Sequence, residues 1–153
     1  KALRAGVSPK EIAVFYRIHA QSRVLEEALR AANHPYQIVG GTKFYERAEI
    51  KDALSYLRVL VNPASDVDLL RVINVPARGI GSTTLERLVA FATENGIPVA
   101  QTLEHLDALS ALGPAPKKKL TQFRELLASL QKLAETLPPS ELLSRVLQET
   151  GYA

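Results

Sequence analysis

A chain of 153 residues with 46% apolar side chains is long enough for a packed core and too apolar for wholesale disorder. Its net charge of +3 is mild, and it has no cysteine for a disulfide framework or thiol chemistry. No apolar run approaches the ~18 residues that a membrane span requires.

The charge is unevenly spread. Residues 1–62 carry 10 basic and 6 acidic side chains, against 9 and 10 in the remainder, so the basic excess belongs to the first part. Lack of cysteine fits a reducing cytoplasm. With no methionine and an opening of "KALRAGVSPKEIAVFYR", the sequence reads as a piece cut from a longer protein.

In chain order, "EIAVFYR" (11–17) is a short β-rich apolar run after the turn signal Ser8-Pro9, and predicts a buried strand. "SRVLEEALRAAN" places Val24, Leu25, Ala28, Leu29 and Ala32 on one helical stripe, stopped by Asn33 and Pro35. "YQIVGG" predicts a second strand, so strand, helix and strand suggest the edge of an α/β layer.

The character then changes. Ile50, Ala53, Leu54, Leu57 and Leu60 recur at helical spacing until Asn62-Pro63. Asp66 is placed to cap "VDLLRVIN". Residues 84–95 form another helix, closed by Asn95-Gly96 and resumed after Pro98. "LGPAP" is a loop, "KKKLTQFRELLASLQKLAETL" a long amphipathic helix, and Ser140 is placed to cap a last helix ending at Gly151. The expected fold is mainly α: a short α/β segment over 1–60, then an all-helical segment over 61–153.

"VPARGIGSTTLERL" (75–88) sets two glycines around one isoleucine at a helix entrance. Glycine reaches positive φ cheaply and lets another backbone come close. Thr83 and Glu86 have capping-box spacing, which starts the helix at about Thr84. Backbone N–H groups of Gly79, Ile80 and Gly81 would then point outward with the helix start and suit a phosphate oxygen. Arg78 adds charge, and Ser82 or Thr83 a hydroxyl. Such contacts hold DNA without reading its bases. The competing reading is a tight interhelical turn in which Ile80 plugs the core and the glycines serve geometry alone.

This pattern resembles a helix-hairpin-helix turn, and the likeness extends further. "IAVFYRIHAQSRVLEEAL", "YQIVGGTKFYERAEIKDALSYLRVLVNP" and "VINVPARGIGSTTLERL" are similar, in order and spacing, to blocks of UvrD/Rep/PcrA-type superfamily I DNA helicases. The resemblance covers nearly all of residues 11–91. Beyond them it is only a run of helices.

It implies that residues 1–60 are part of the second RecA-like lobe (2A) and residues 61–153 begin the helical 2B region. It also implies that Tyr16 stacks on the ATP base while Arg17 reaches the γ-phosphate. A planar, permanently charged guanidinium suits that task. Read from the residues alone, the same pair is an ordinary strand end with a surface arginine. Family members commonly continue with Thr-Asn where this chain has Ile18-His19, which leaves those two polar roles in doubt here.

Other features are weaker. Phe44 and Tyr45 could stack on single-stranded bases, with Arg47 or Lys51 on phosphates. The preferred reading anchors the helix on them, since Glu46 and Glu49 repel a phosphate backbone. Lys117, Lys118 and Lys119 could touch DNA, but the run reads as solvated and set against the helix dipole. Leu120, Phe123, Leu127, Leu130, Ala134 and Leu137 fit an a/d pattern too short for more than internal packing. His19, His34 and His105 are too scattered for zinc.

No GxxxxGK[ST] loop occurs in the sequence, and no apolar run ends in paired acids for Mg²⁺. The expectation is therefore a piece of an ATP-dependent DNA helicase, active in repair or replication, that hydrolyses nothing alone. Its partners are duplex and junction DNA, ATP with Mg²⁺, and the remaining helicase lobes. Alternatives are a helicase-nuclease subunit, a non-enzymatic helix-hairpin-helix module, or an interaction scaffold.

Overall fold

The computed structural model describes residues 5–18, 20–39 and 44–152. The chain forms two compact units, Lys1–Ile50 and Lys51–Ala153. The seven α-helices among the described residues bear out the mainly α expectation.

In the first unit, α1 spans Ala20–Ala31, and short 3-10 turns cover Pro9–Glu11 and Phe44–Glu46. Among the described residues there is no strand, which corrects the expected α/β segment. Residues 12–16 form no strand, and Val14 and Phe15 are exposed, Phe15 by 93%. A β-rich apolar run marks a segment able to enter a sheet, but each strand N–H and C=O needs a neighbouring backbone. Of the second expected strand, residues 36–39 form no strand either, and Gly40 and Gly41 lie outside the described residues.

Only part of the apolar stripe expected on α1 turns inward: Leu25 and Leu29 are half-buried on the face of Ser22 and Glu26, while Ala28 and Ala32 are exposed. Val24 is exposed, while Ser22 and Glu26 are buried. Glu26 is satisfied there, accepting from the Tyr36 hydroxyl at 3.1 Å and the Phe44 N–H at 3.4 Å. α1 stops where Asn33 adopts φ +53°, as its sequence suggests.

The second unit is helical. α2 (Ala48–Val61) begins in the first unit and continues into the second; α3 (Asp66–Val72), α4 (Ser82–Asn95), α5 (Val99–Thr102), α6 (Pro114–Ala134) and α7 (Pro139–Thr150) follow. Their core includes Tyr56, Leu69, Ile73, Ile80, Leu88, Leu103, Leu120, Phe123, Leu130 and Val146. The buried face of α2 is Asp52, Ser55, Tyr56, Val59 and Leu60, rotated from the stripe read in the sequence. The a/d residues Leu120, Phe123, Leu127 and Leu130 are buried within the unit, as expected.

Helix ends explain the shifts in boundaries. Asp66 does not cap α3. Ser65 holds that position, and Asp66 accepts from the Val99 N–H at 2.8 Å, fastening the start of α5 to α3. "PAP" belongs to α6 because proline lacks an N–H that the first helical turn leaves unused anyway. For the same reason α7 begins at Pro139 after Pro138, without a cap from Ser140. Gly96 and Gly151 close α4 and α7 in the left-handed conformation, as read.

Candidate functional site

The connection from α3 to α4 carries the hairpin. Asn74 organises it: its side-chain oxygen accepts from the backbone N–H of Arg78 at 2.8 Å and of Ile80 at 3.1 Å. Between those anchors Gly79 turns at φ +70°, a conformation that glycine enters without strain. Ile80, 1% exposed, drives into the core beneath. The Ile80 N–H is spent on Asn74 and does not face outward, which corrects that expectation for Ile80, while Gly79 and Gly81 stay exposed.

α4 starts two residues earlier than its capping-box spacing predicts. Gly81 is the N-cap, no side chain caps the helix, and Thr84 is buried. The N–H groups of Thr84 and Leu85 bond the Gly81 carbonyl at 3.0 and 3.2 Å. Ser82 and Thr83 lie exposed ahead of them. No acidic residue stands in this first turn, so the positive end of the helix dipole is not neutralised from within the helix.

The two glycines differ. A Cβ on Gly79 would meet the Lys119 ammonium, and φ disfavours any L side chain there. Gly81 lies at φ −78° and ψ 168°, ordinary extended backbone, and a Cβ on it would meet nothing within 4 Å.

Arg78 is turned inward. One terminal nitrogen donates to the carbonyls of Val72 at 3.1 Å and Pro76 at 3.2 Å; the other donates to the Tyr56 hydroxyl at 2.8 Å and the Thr150 carbonyl at 3.3 Å. The guanidinium also lies 5.3 Å from the Phe123 ring centre, in cation–π range. Tyr56 in turn hydrogen bonds the Val75 carbonyl. Burial pushes the Tyr56 phenol above its ordinary range, against the pull of the Arg78 charge.

A second network backs the first. Asp52 accepts from Arg71 at 2.7 Å and from the Tyr152 hydroxyl at 2.8 Å, tying α2, α3 and the residues after α7 together. Of the expected hairpin residues, Gly79, Gly81, Ser82 and Thr83 share one surface, Ile80 fills the core and the Arg78 side chain braces from behind.

Asn74 escaped the sequence reading, although it left a signal, an amide-bearing residue two before a proline in an interhelical connection. Lys119 was singled out only within its lysine run; nothing in the sequence tied it to the turn, where it bonds the Gly79 carbonyl at 3.0 Å from forty residues away. Its neighbour Lys117 reaches the Asp107 carbonyl at 3.4 Å, and Lys118 is exposed.

In the first unit, Tyr16 is half-buried and Arg17 exposed, shortly before α1. The Arg17 backbone N–H donates to the Gln21 side chain at 3.1 Å, joining that residue to the first turn of α1. His19 lies outside the described residues. Phe44 is flanked by the guanidinium groups of Arg23 at 5.4 Å and Arg47 at 5.6 Å, and its ring meets Tyr45 edge-on at 5.1 Å. Those contacts suit an anchoring role for Phe44. Tyr45 is 44% exposed.

Among the described residues no cluster of three His, Asp or Glu could hold a metal ion. None of the helices examined among them is long and apolar enough to cross a membrane.

Residues 1–112 match the family model described as the UvrD-like helicase C-terminal domain. An ATP-dependent DNA helicase PcrA of Staphylococcus epidermidis is 45% identical over 156 residues, covering 99% of this chain and 21% of the relative. The protein of that name in Staphylococcus aureus is 44% identical, with the same coverage. The one in Bacillus subtilis is 42% identical over 142 residues, covering 93% of this chain and 19% of the relative. The chain thus spans about a fifth of the length of these relatives.

Proposed function

This chain belongs to the UvrD-like helicase C-terminal domain family, and on that premise we propose that it works as part of an ATP-dependent DNA helicase. In this reading the second unit grips the phosphate backbone of duplex DNA through residues 79–83. The first unit presents Tyr16 to the ATP base and Arg17 to the γ-phosphate.

The observation that carries the DNA side is Gly81. Neither its dihedral angles nor its neighbours within the chain call for a glycine. A bare backbone next to an uncapped helix start is what a phosphodiester needs in order to come within hydrogen-bond distance. The Ser82 and Thr83 hydroxyls lie beside it as further donors. Contacts of this kind hold the duplex in place without reading its bases. Arg78 serves by bracing the turn from behind.

On the ATP side, the exposed Arg17 stands next to a backbone tie to α1, which orients the residue. Its guanidinium stabilises charge on the transferred phosphoryl group, the role an arginine takes when it completes a site from the opposite lobe. ATP and Mg²⁺ supply the reaction when bound. In this reading the Mg²⁺ ligands and the phosphate-binding loop come from another lobe of the whole protein, as the family resemblance implies. Unwinding runs 3′ to 5′, as the family resemblance implies, and the process served is repair or replication.

The test is duplex binding by the chain and by Gly81→Val, read by fluorescence anisotropy over a range of salt. Salt-sensitive binding that the folded variant loses supports the hairpin assignment. A native chain that binds no duplex, or a variant that binds normally, overturns it.

A further inference from the structure

We propose that Lys119 is the cation of the hairpin: an α6 residue whose ammonium contacts the same DNA phosphate that the 79–83 backbone receives. The inference rests on the reading of that hairpin as a duplex-binding site.

Three observations carry it. The first is position. The Lys119 ammonium lies 3.0 Å from the Gly79 carbonyl, in space that a side chain at residue 79 would fill. Gly79 is therefore favoured by its φ of +70°, and its missing side chain also leaves room for the end of a lysine from another helix. An ammonium has three donors, and the Gly79 carbonyl takes one.

The second is charge. Among the described ion pairs Lys119 takes part in none, and neither α4 nor α6 carries an acid in its first turn. Three successive lysines near the positive end of α6 repel one another and the dipole. An anion at the hairpin would relieve that repulsion.

The third is Arg78. Its guanidinium is committed to four internal acceptors, so it does not supply the charge at the turn. Lys119, half-buried, meets the same backbone at the Gly79 carbonyl. A compact ammonium on a flexible stem acts as a point charge and tolerates any base sequence, which suits a contact that positions DNA.

The experiment uses the 153-residue chain, a short fluorescein-labelled duplex and anisotropy titrations at several salt concentrations. Lys119→Gln keeps an N–H donor for the Gly79 carbonyl but removes the charge. Loss of one phosphate contact predicts several-fold weaker binding at low salt and a salt slope shallower by about 0.9. Lys119→Arg should bind within about twofold of the native chain, and so should Lys118→Gln, which controls for net charge.

If Lys119→Gln binds with native affinity and slope while Gly81→Val loses binding, Lys119 is only a structural tie. The inference then falls and the hairpin reading stands. Weakened binding with an unchanged slope also overturns it, because the ammonium would then act through the shape of the turn. If Lys119→Gln is poorly folded, Lys119→Arg decides: native binding with native slope supports a contact that follows the charge, and loss overturns it. A native chain that binds no duplex removes the hairpin reading and the inference with it.

Discussion

The Arg78 guanidinium donates to the carbonyl of Thr150 across 72 residues of sequence, at 3.3 Å. Thr150 ends α7, where helix carbonyls lack partners and the dipole favours a cation. One side chain thereby closes the last turn of α7 and braces the turn ahead of α4. Arg78→Lys cannot reach all four acceptors with one ammonium. It should lower unfolding free energy in urea by about 2–3 kcal/mol, the range for charged hydrogen bonds lost in a part-buried setting. An unchanged midpoint would show that the network contributes nothing.

The two glycines should separate stability from binding. Gly79→Ala forces a side chain into positive φ and against Lys119, and should cost about 1–2 kcal/mol. Gly81→Ala should cost only about 0.5 kcal/mol, because alanine is a poorer N-cap than glycine, yet weaken duplex binding. Equal losses of stability in both variants would contradict the geometry described here.

Asn74 is the hinge pin of the turn. Asn74→Ala orphans two backbone N–H groups, those of Arg78 and Ile80, at a cost of about 1–3 kcal/mol. Asn74→Asp keeps an acceptor at the same place and should recover most of that loss. Thermal melts of the two variants side by side provide the check.

Asp68 gives the second unit a dependence on acid pH. Burial alone would raise its carboxyl, but donation from the Ser55 and Ser65 hydroxyls, with the nearby Arg58 charge, holds it below the ordinary value of 3.8. The native state thus prefers the ionised form. Its contribution is complete above the ordinary value and disappears as pH falls through the lowered one. The stability of the native chain should fall more steeply below about pH 4 than that of Asp68→Asn. Parallel curves for the two would dismiss Asp68 as a source of acid sensitivity.

Arg17 is tested in the longer protein. Arg17→Ala should slow DNA-stimulated ATP hydrolysis by about a thousandfold, the lower range for an arginine that completes a phosphoryl-transfer site. DNA affinity without nucleotide should stay within about twofold. Near-native turnover would remove Arg17 from the ATP site.

Much of the second unit was readable in the sequence. Helical spacing marked α2, α4 and α6, and Asn95-Gly96 and Gly151 marked two helix ends, because these signals are local. The glycine pair drew attention to the hairpin for the same reason: a turn with positive φ selects glycine whatever surrounds it. The expected strands at 11–17 and 36–41 show the limit. Their β-rich apolar composition reports which residues could enter a sheet, while the backbone that would pair with them is a property of the fold.

The sequence by itself determined the helical character, the place of the 79–83 turn and, through three blocks of resemblance, the family. Only the tertiary structure decided which cation stands at that turn. Arg78 is adjacent in sequence, but the carbonyls of Val72, Pro76 and Thr150 and the Tyr56 hydroxyl converge behind it and draw its side chain inward. Lys119 is forty residues away, yet packing of the second unit brings its ammonium onto the Gly79 carbonyl. Hydrogen-bond competition is settled by distances in the folded chain, and no local pattern encodes distances between helices brought together from different parts of the sequence.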